Sequence, residues 1–319
     1  MKYFNYLFSG LFLNSILAFP GVAQQITVDG TTSTTVTPTP TGVQINQGNR
    51  GGGNLFHSFG KFSIPTGTEA HFNNASDVVN IFSRVTGGDI SNINGLLRAN
   101  GTANLFLINP AGILFGEGAR LQLGGSFYGS TADSIVFPDG EFSATDKMSP
   151  VTITINAPIG LNFRDEPQPI TNQANSGLVE TVIDPGLETE YTAITEITGL
   201  EVVEGKTLGL IGGNIFLEGS GLTAPGGNVE LGGLSESGII GINNDGSLSF
   251  PEGVARSDVS LTDNAIVNVE SGGGGFINVN ARNLTLDGKG RLIAGIKENM
   301  GSLDAIGGDI VINATNQLK

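Results

Sequence analysis

The chain reads as a succession of short apolar runs separated by clusters of Gly, Asn, Asp and Pro. From Gln44 onward the runs include VVNIF (78–82), LFLI (105–108), ILF (113–115), RLQL (120–123), SIVF (134–137) and VTITI (151–155). None sustains the period of an amphipathic helix. The nearest approach, Ser91 to Ala99, is short and carries a glycine, which costs roughly 1 kcal/mol in a helix interior relative to Ala. In VTITINA, Val151, Ile153 and Ile155 alternate with polar residues and share one side, as in a strand. The pattern predicts an essentially all-β chain.

The second half carries a recurring unit. GGNIFL (212–217), GGNVEL (226–231), GGGFINV (273–279) and GGDIVI (307–312) share a Gly-Gly pair followed by alternating apolar positions, with NLTLDGKGRLIAG (283–295) and SLSFPEG (247–253) between them. The spacing is uneven, which fits a propeller or a leucine-rich repeat poorly. A right-handed parallel β-helix fits better, with extra-helical loops or hairpins where coil length changes, because each coil buries its apolar side only against its neighbours. The Thr/Pro-rich stretch Thr31 to Thr41 reads as an extended lead-in or edge strand. Glu166 to Ile197 breaks the rhythm; ITNQA (170–174) reads as a strand and DPGLETEY (184–191) as an excursion from the coil. The expected organisation is a signal peptide over 1–23, a first unit over 24–165, an excursion over 166–200 and a β-helical continuation over 201–319. GGDIVINA is followed almost at once by Lys319 with no capping element, so a truncated member, or one that continues in another version, is expected.

Composition narrows the functional classes. Gly is 49 of 319 residues and charged residues are 14%, which argues against long solvated helices, while 39% hydrophobic content supplies a core. The net charge is −15 and no basic run occurs, so nucleic acid is not an expected partner. Residues 1–23 have Lys2, an apolar stretch from Leu7 to Phe19, and Pro20-Gly21-Val22-Ala23 with small residues before Gln24. That is the form of a cleavable secretory signal, too short to span about 30 Å of hydrocarbon. With no cysteine in the chain, no disulfide locks it after export.

Candidate chemistry is sparse. His57 in FHSF and His71 in AHFN have no partner at metal spacing and read as structural. The carboxylate pairs Asp165-Glu166 and Glu188/Glu190 lie in polar turns. DGKG (287–290) reads as a hairpin or corner turn, and no cofactor is implied. The most informative element is Asn109-Pro110-Ala111-Gly112, set between Leu105–Ile108 and Ile113–Phe115. Asn109 precedes proline and is pushed to the β region. Its side chain can accept from the N–H two residues on, and Pro110 and Gly112 suit a type I turn. Leu107 and Ile113 would then pack inward. Two readings stay open at this point: a structural corner, or a tag that a partner reads.

Residues 81–137 (IFSRVTGGDISNINGLLRANGTANLFLINPAGILFGEGARLQLGGSFYGSTADSIVF) resemble the N-terminal secretion domain of filamentous-haemagglutinin-type exoproteins of two-partner secretion systems. The family hallmark near this point is Asn-Pro-Asn-Gly-Ile; Asn109, Pro110, Gly112 and Ile113 match it and Ala111 departs. The family's second hallmark, Asn-Pro-Asn-Leu, is not visible, which points to the branch that lacks it. Residues 54–72, 142–163 and 205–233 look like the versions found in cyanobacterial members, so the resemblance covers most of residues 40–319. It implies a right-handed parallel β-helix, a secretion domain over 24–165, and no enzymatic activity. It implies that Asn109, Pro110, Ala111, Gly112 and Ile113 form the motif recognised by a dedicated outer-membrane β-barrel transporter with periplasmic carrier domains. It further implies passage through the periplasm to the exterior or cell surface, and an adhesin-like, monomeric role toward a host or cell-surface receptor or glycan. The alternatives are a β-helical polysaccharide-acting enzyme, marked by a carboxylate trio beside an Arg or Lys in a groove, and a truncated, non-functional remnant.

Overall fold

In the computed structural model, which describes residues 25–146, 153–164, 166–175, 179–184, 189–194 and 199–319, the chain winds in three-sided coils. The signal expected at 1–23 lies outside the described residues. On the first face Asn54–Phe62, Asn80–Val85, Asn104–Ile108, Phe127–Ser130, Thr207–Gly212 and Asn228–Gly233 lie parallel and in register. The second face stacks Ser91–Ile93, Ile113–Phe115, Ile170–Asn172, Ile215–Glu218 and Val259–Thr262. The third is two sheets: one ends at Arg120–Gln122, and the other begins at Leu200–Glu201 and runs to Arg291–Ile293. Phe276–Leu286 rounds the corner between the first two faces unbroken, and Ile310–Leu318 lies along it. The fold is thus the all-β parallel β-helix expected, with no helix among the described residues. Ser91 to Ala99 is two strands, Ser91–Ile93 and Leu96–Ala99, on different faces.

The Gly-Gly repeats have a steric cause. In GGNVEL and GGDIVI the second glycine precedes a first-face strand where the chain crosses a carbonyl of the coil before it. A Cβ on Gly227 would sit 2.0 Å from the Lys206 oxygen, and one on Gly308 1.7 Å from that of Gly275. Only glycine allows so close a backbone approach.

Alternate first-face residues point into the coil, where Leu55, Ile81, Leu105, Phe127, Leu208, Val229 and Ile277 stack. The intervening residues face outward yet are buried too. Phe56, Phe82, Phe106 and Tyr128 form a row with successive ring centroids 5.2, 5.0 and 4.5 Å apart. An antiparallel sheet covers them: Gly140–Ser143, Ser134–Phe137, Gly160–Phe163, Gly238–Ile242 and Leu248–Ser249, in that order. Its Ile135, Phe137, Phe142, Leu161, Phe163 and Ile240 complete an outer core. A strand buried on both sides reads as a continuous apolar run, which is why LFLI does not alternate.

The strand expected at 151–155 is not found in its described part. Residues 153–159 are irregular. Ile153 and Ile155 do share a side, but it is the solvent side, at 39% and 77% exposure, while Thr154 is buried. The Asn54 carboxamide donates to the Thr154 and Asn156 carbonyls at 3.0 and 2.8 Å. Polar contacts to the backbone, rather than apolar side chains, hold this segment down. Elsewhere Thr35–Thr39 is the antiparallel edge strand of the lead-in, and Ile170–Asn172 supplies the strand in ITNQA. Val179–Asp184 and Thr189–Ile194 pair as an antiparallel hairpin between the second- and third-face strands of their coil.

The N-terminal segment is tied down by a buried polar network. Arg84, fully buried, donates from Nε to Ser58 Oγ at 2.8 Å, from Nη2 to Thr31 Oγ1 at 2.9 Å and from Nη1 to the Ser143 carbonyl. Its guanidinium lies 4.6 Å from the Phe142 ring centre. Asp29 accepts from the Ser58 and Thr86 hydroxyls at 2.6 and 2.8 Å. Burial lowers the Arg84 pKa, and the charges of Asp29 and Asp146 oppose that shift. His57 is buried beside Phe59 and Phe72, hydrogen bonded through Nδ1 to Thr34 Oγ1 at 3.0 Å. Burial pushes its imidazole down to about 3, so it is neutral in the folded chain.

Two expectations follow for stability. Phe82→Ala, which empties the middle of the aromatic row, should lower the unfolding free energy by about 3–5 kcal/mol, read from the urea midpoint. Below an imidazole's ordinary 6.5 the unfolded chain binds a proton that His57 refuses when folded. Stability from this group is therefore complete above pH 6.5 and falls, by at most about 1.4 kcal/mol per pH unit, down to pH 3. His57→Asn should flatten that slope in urea titrations between pH 4 and 7.

Candidate functional site

The Asn109–Ile113 segment forms the corner between the first-face strand Asn104–Ile108 and the second-face strand Ile113–Phe115. The turn closes as its residues require. The Ala111 N–H donates to Asn109 Oδ1 at 3.0 Å and the Gly112 N–H to the Asn109 carbonyl at 3.0 Å. Gly112 takes a φ of 114°, a region that favours glycine. Leu107 and Ile113 both enter the inner core, as expected.

The adjoining coils do the rest. Asn109 is completely buried. Its Nδ2 donates to the Asp89 carbonyl and to Ser91 Oγ, both at 2.9 Å, and its N–H to the Ser130 carbonyl at 2.9 Å. The Ser91 N–H donates to the Gly112 carbonyl at 3.1 Å, and the Ile113 N–H to the Pro169 carbonyl at 3.3 Å. Every polar group of Asn109 therefore has a partner, and the turn is clamped between the corner at 89–91 and the one at 168–170. Sequence reasoning missed Asp89, Ser91, Ser130 and Pro169. The one signal for them is coil register, which pairs Ser91 with Ile113 and Ile113 with Ile170.

Pro110 and Ala111 remain partly exposed. Pro110 borders a surface groove of about 580 Å³ completed by Arg164, Glu166, Gln168 and Ser235–Ser237. Arg164 Nη2 donates to Glu141 Oε2 at 3.2 Å, and Glu236 Oε1 accepts from the Ala255 N–H at 2.7 Å. The Arg164 pair is too exposed to contribute more than about 1 kcal/mol, so the groove is polar and adaptable. Of the other sequence candidates, His71 Nε2 is hydrogen bonded to Asn100 Oδ1 at 2.8 Å. Asp287 to Gly290 is a corner rather than a hairpin, since Arg291–Ile293 runs parallel to Ile266–Asn268. Asp165 and Glu188 lie outside the described residues.

The family model of the TPS secretion domain matches residues 24–280. Among solved structures, the chain is similar to the HMW1 secretion domain from Haemophilus influenzae. The identity is 16% and the TM-score 0.31, over 93% of this chain and 100% of that one. It is also similar to the filamentous hemagglutinin secretion domain, at 13% identity and a TM-score of 0.35, over 91% of this chain and 100% of that one. No curated protein matches the chain.

Asn109→Ala strands the buried Ser91 hydroxyl and the Asp89 carbonyl, and should lower stability by about 1–3 kcal/mol. Ala111→Asn, at a half-exposed position without positive φ, should change it by no more than about 0.5 kcal/mol. Urea unfolding of the two variants checks both values, and equal losses would refute the assignment of Asn109 as the clamped residue.

Proposed function

The chain belongs to the TPS secretion domain family, and from that membership we propose that it is an exoprotein segment addressed to a cognate outer-membrane β-barrel transporter with periplasmic carrier domains. The address includes Asn109, Pro110, Ala111, Gly112 and Ile113. The chain crosses the periplasm and reaches the exterior or the cell surface, where it acts as a monomeric, adhesin-like rod toward a receptor or glycan, without catalysis.

The observation that carries this reading is the family match over residues 24–280, within which the hallmark turn falls. Two physical features support it. No cysteine can crosslink the chain before it threads a pore. Each coil needs only its predecessor as a template, so coils that emerge in order can fold in order and resist backsliding. The complete burial of Asn109 adds a condition. A transporter that reads the asparagine side chain meets it before the corner closes, whereas Pro110 and Ala111 stay available on the closed rod.

In a strain carrying the cognate transporter, Asn109→Ala should markedly reduce protein in the medium and leave it cell-associated, while Ala111→Asn should export at least as well as the parent. Parental export of Asn109→Ala would reduce the motif to a structural corner.

A further inference from the structure

We propose that the hairpin spanning residues 238–249 is a proton-controlled clasp on the outer core, closed while the Glu230 buried beneath it is protonated and loosened when that carboxyl ionises. The inference is independent of the secretion reading.

Glu230 occupies an unexpected place. Along the outward row of the first face the register runs Phe106, Tyr128, Gly209, Glu230, Asn278. The aromatic stack thus ends at a glycine and is followed by a carboxyl group that is 1% exposed. Gly209 leaves room for the Tyr128 ring, whose Cδ1 would lie 2.9 Å from a Cβ there. The Tyr128 hydroxyl donates to the Gly246 carbonyl in the hairpin turn at 3.1 Å. Glu230 Oε1 accepts from Asn278 Nδ2 at 2.7 Å, and the Leu248 main chain lies near enough to oppose the rise in the carboxyl's pKa. The hairpin therefore forms the roof of the carboxyl site.

No cation answers this carboxylate among the described residues. From the hairpin it faces Asp245, whose own carboxyl is kept below its ordinary value by the Ser247 hydroxyl and N–H and so stays negative. From Phe127–Ser130 it faces the Tyr128 phenol, pushed up to about 12 by burial and therefore neutral. From Phe276–Leu286 comes the uncharged Asn278, and Thr207–Gly212 offers no charge. Arg256 stacks 5.5 Å over the Phe250 ring and donates from Nη1 to the Asn313 carbonyl. An ionised carboxylate buried without a counter-ion is strongly disfavoured.

Burial raises the Glu230 carboxyl from its ordinary 4.5 to about 7; the Asn278 bond opposes the shift and Asp245 adds to it. The closed hairpin therefore holds a proton that the open one releases between those two values. Docking is firmest below pH 4.5, weakens up to about tenfold per pH unit as pH rises through the window, and changes no further above about 7. Opening detaches Gly238–Ile242 from Gly160–Phe163, which uncovers a strand edge and the apolar residues Leu161 and Phe163.

Hydrogen exchange on the full chain tests this, expressed as protection factors so that the intrinsic pH dependence cancels. His57 acts on global stability with the opposite sign over part of the range, so a melting curve would blur the two effects. Protection of residues 238–249 should fall steeply from pH 5 to 7 and level off, while Asn104–Ile108 does not follow. Glu230→Gln should keep the hairpin protected at every pH. Flat wild-type protection, or an undiminished fall in Glu230→Gln, would overturn the proposal. Should that variant not fold, the wild-type contrast between the hairpin and Asn104–Ile108 decides alone.

Discussion

Parallel backbone pairing between successive circuits of the chain is the interaction on which the rest of this molecule depends. The first-face strands from Asn80–Val85 to Asn228–Gly233 are each flanked on both sides by strands of neighbouring coils, and their apolar residues have no other place to go. A one-residue slip normally throws a strand's hydrophobic set into water and so forbids itself. That safeguard is weak here, because both sides of the first face are buried: the inner row is largely aliphatic and the outer row aromatic. Side-chain amides at the corners supply the missing register. Asn80 donates to Asn54 and Asn104 to Asn80, at 3.0 and 2.9 Å. Asn73 to Asn46 and Asn100 to Asn73 do the same on another corner, at 2.9 and 3.2 Å. These ladders can form only when the same position of each coil lies over its counterpart.

Stacking also explains where polar groups are tolerated in the interior. Asn109 and Arg84 are both completely enclosed, and both find their partners on other segments of the chain. Asn109 locks one corner to the coils before and after it. Arg84 joins the N-terminal segment, the preceding coil and the extra-helical sheet. Glu230, by contrast, has the Asn278 donor but no opposite charge among the described residues. A chain that tolerates one such group beneath a two-stranded flap has a local weak point in an otherwise continuously paired structure, and weak points are where pH acts first.

Local residue chemistry made much of the hallmark corner legible. A proline after Asn109, an amide able to accept from Ala111, a glycine at 112 and apolar residues at 107 and 113 describe the turn without reference to anything distant. The residues that immobilise it were not legible. Ser91, Asp89 and Pro169 lie one coil away, and their distance along the chain depends on how long each loop happens to be. The groove at Pro110 is more remote still, since Arg164 and Ser235–Ser237 come from the extra-helical sheet and its connections. The misreading of VTITINA has a related cause. Alternation reports that two isoleucines share a side, but not whether that side meets a core.

The all-β character, the β-helical winding and the corner at Asn109–Gly112 are legible in residue order alone, because each depends on local conformational preference or on a short-period pattern. Long-range packing settles instead that the first face is buried twice, that residues 153–159 lie irregular under the Asn54 carboxamide, and that Glu230 is sealed beneath a hairpin. Those outcomes turn on which distant segment comes to rest against a given side of a strand. Nothing in a strand's own residues specifies that, since an apolar side can be satisfied by any apolar partner of suitable shape.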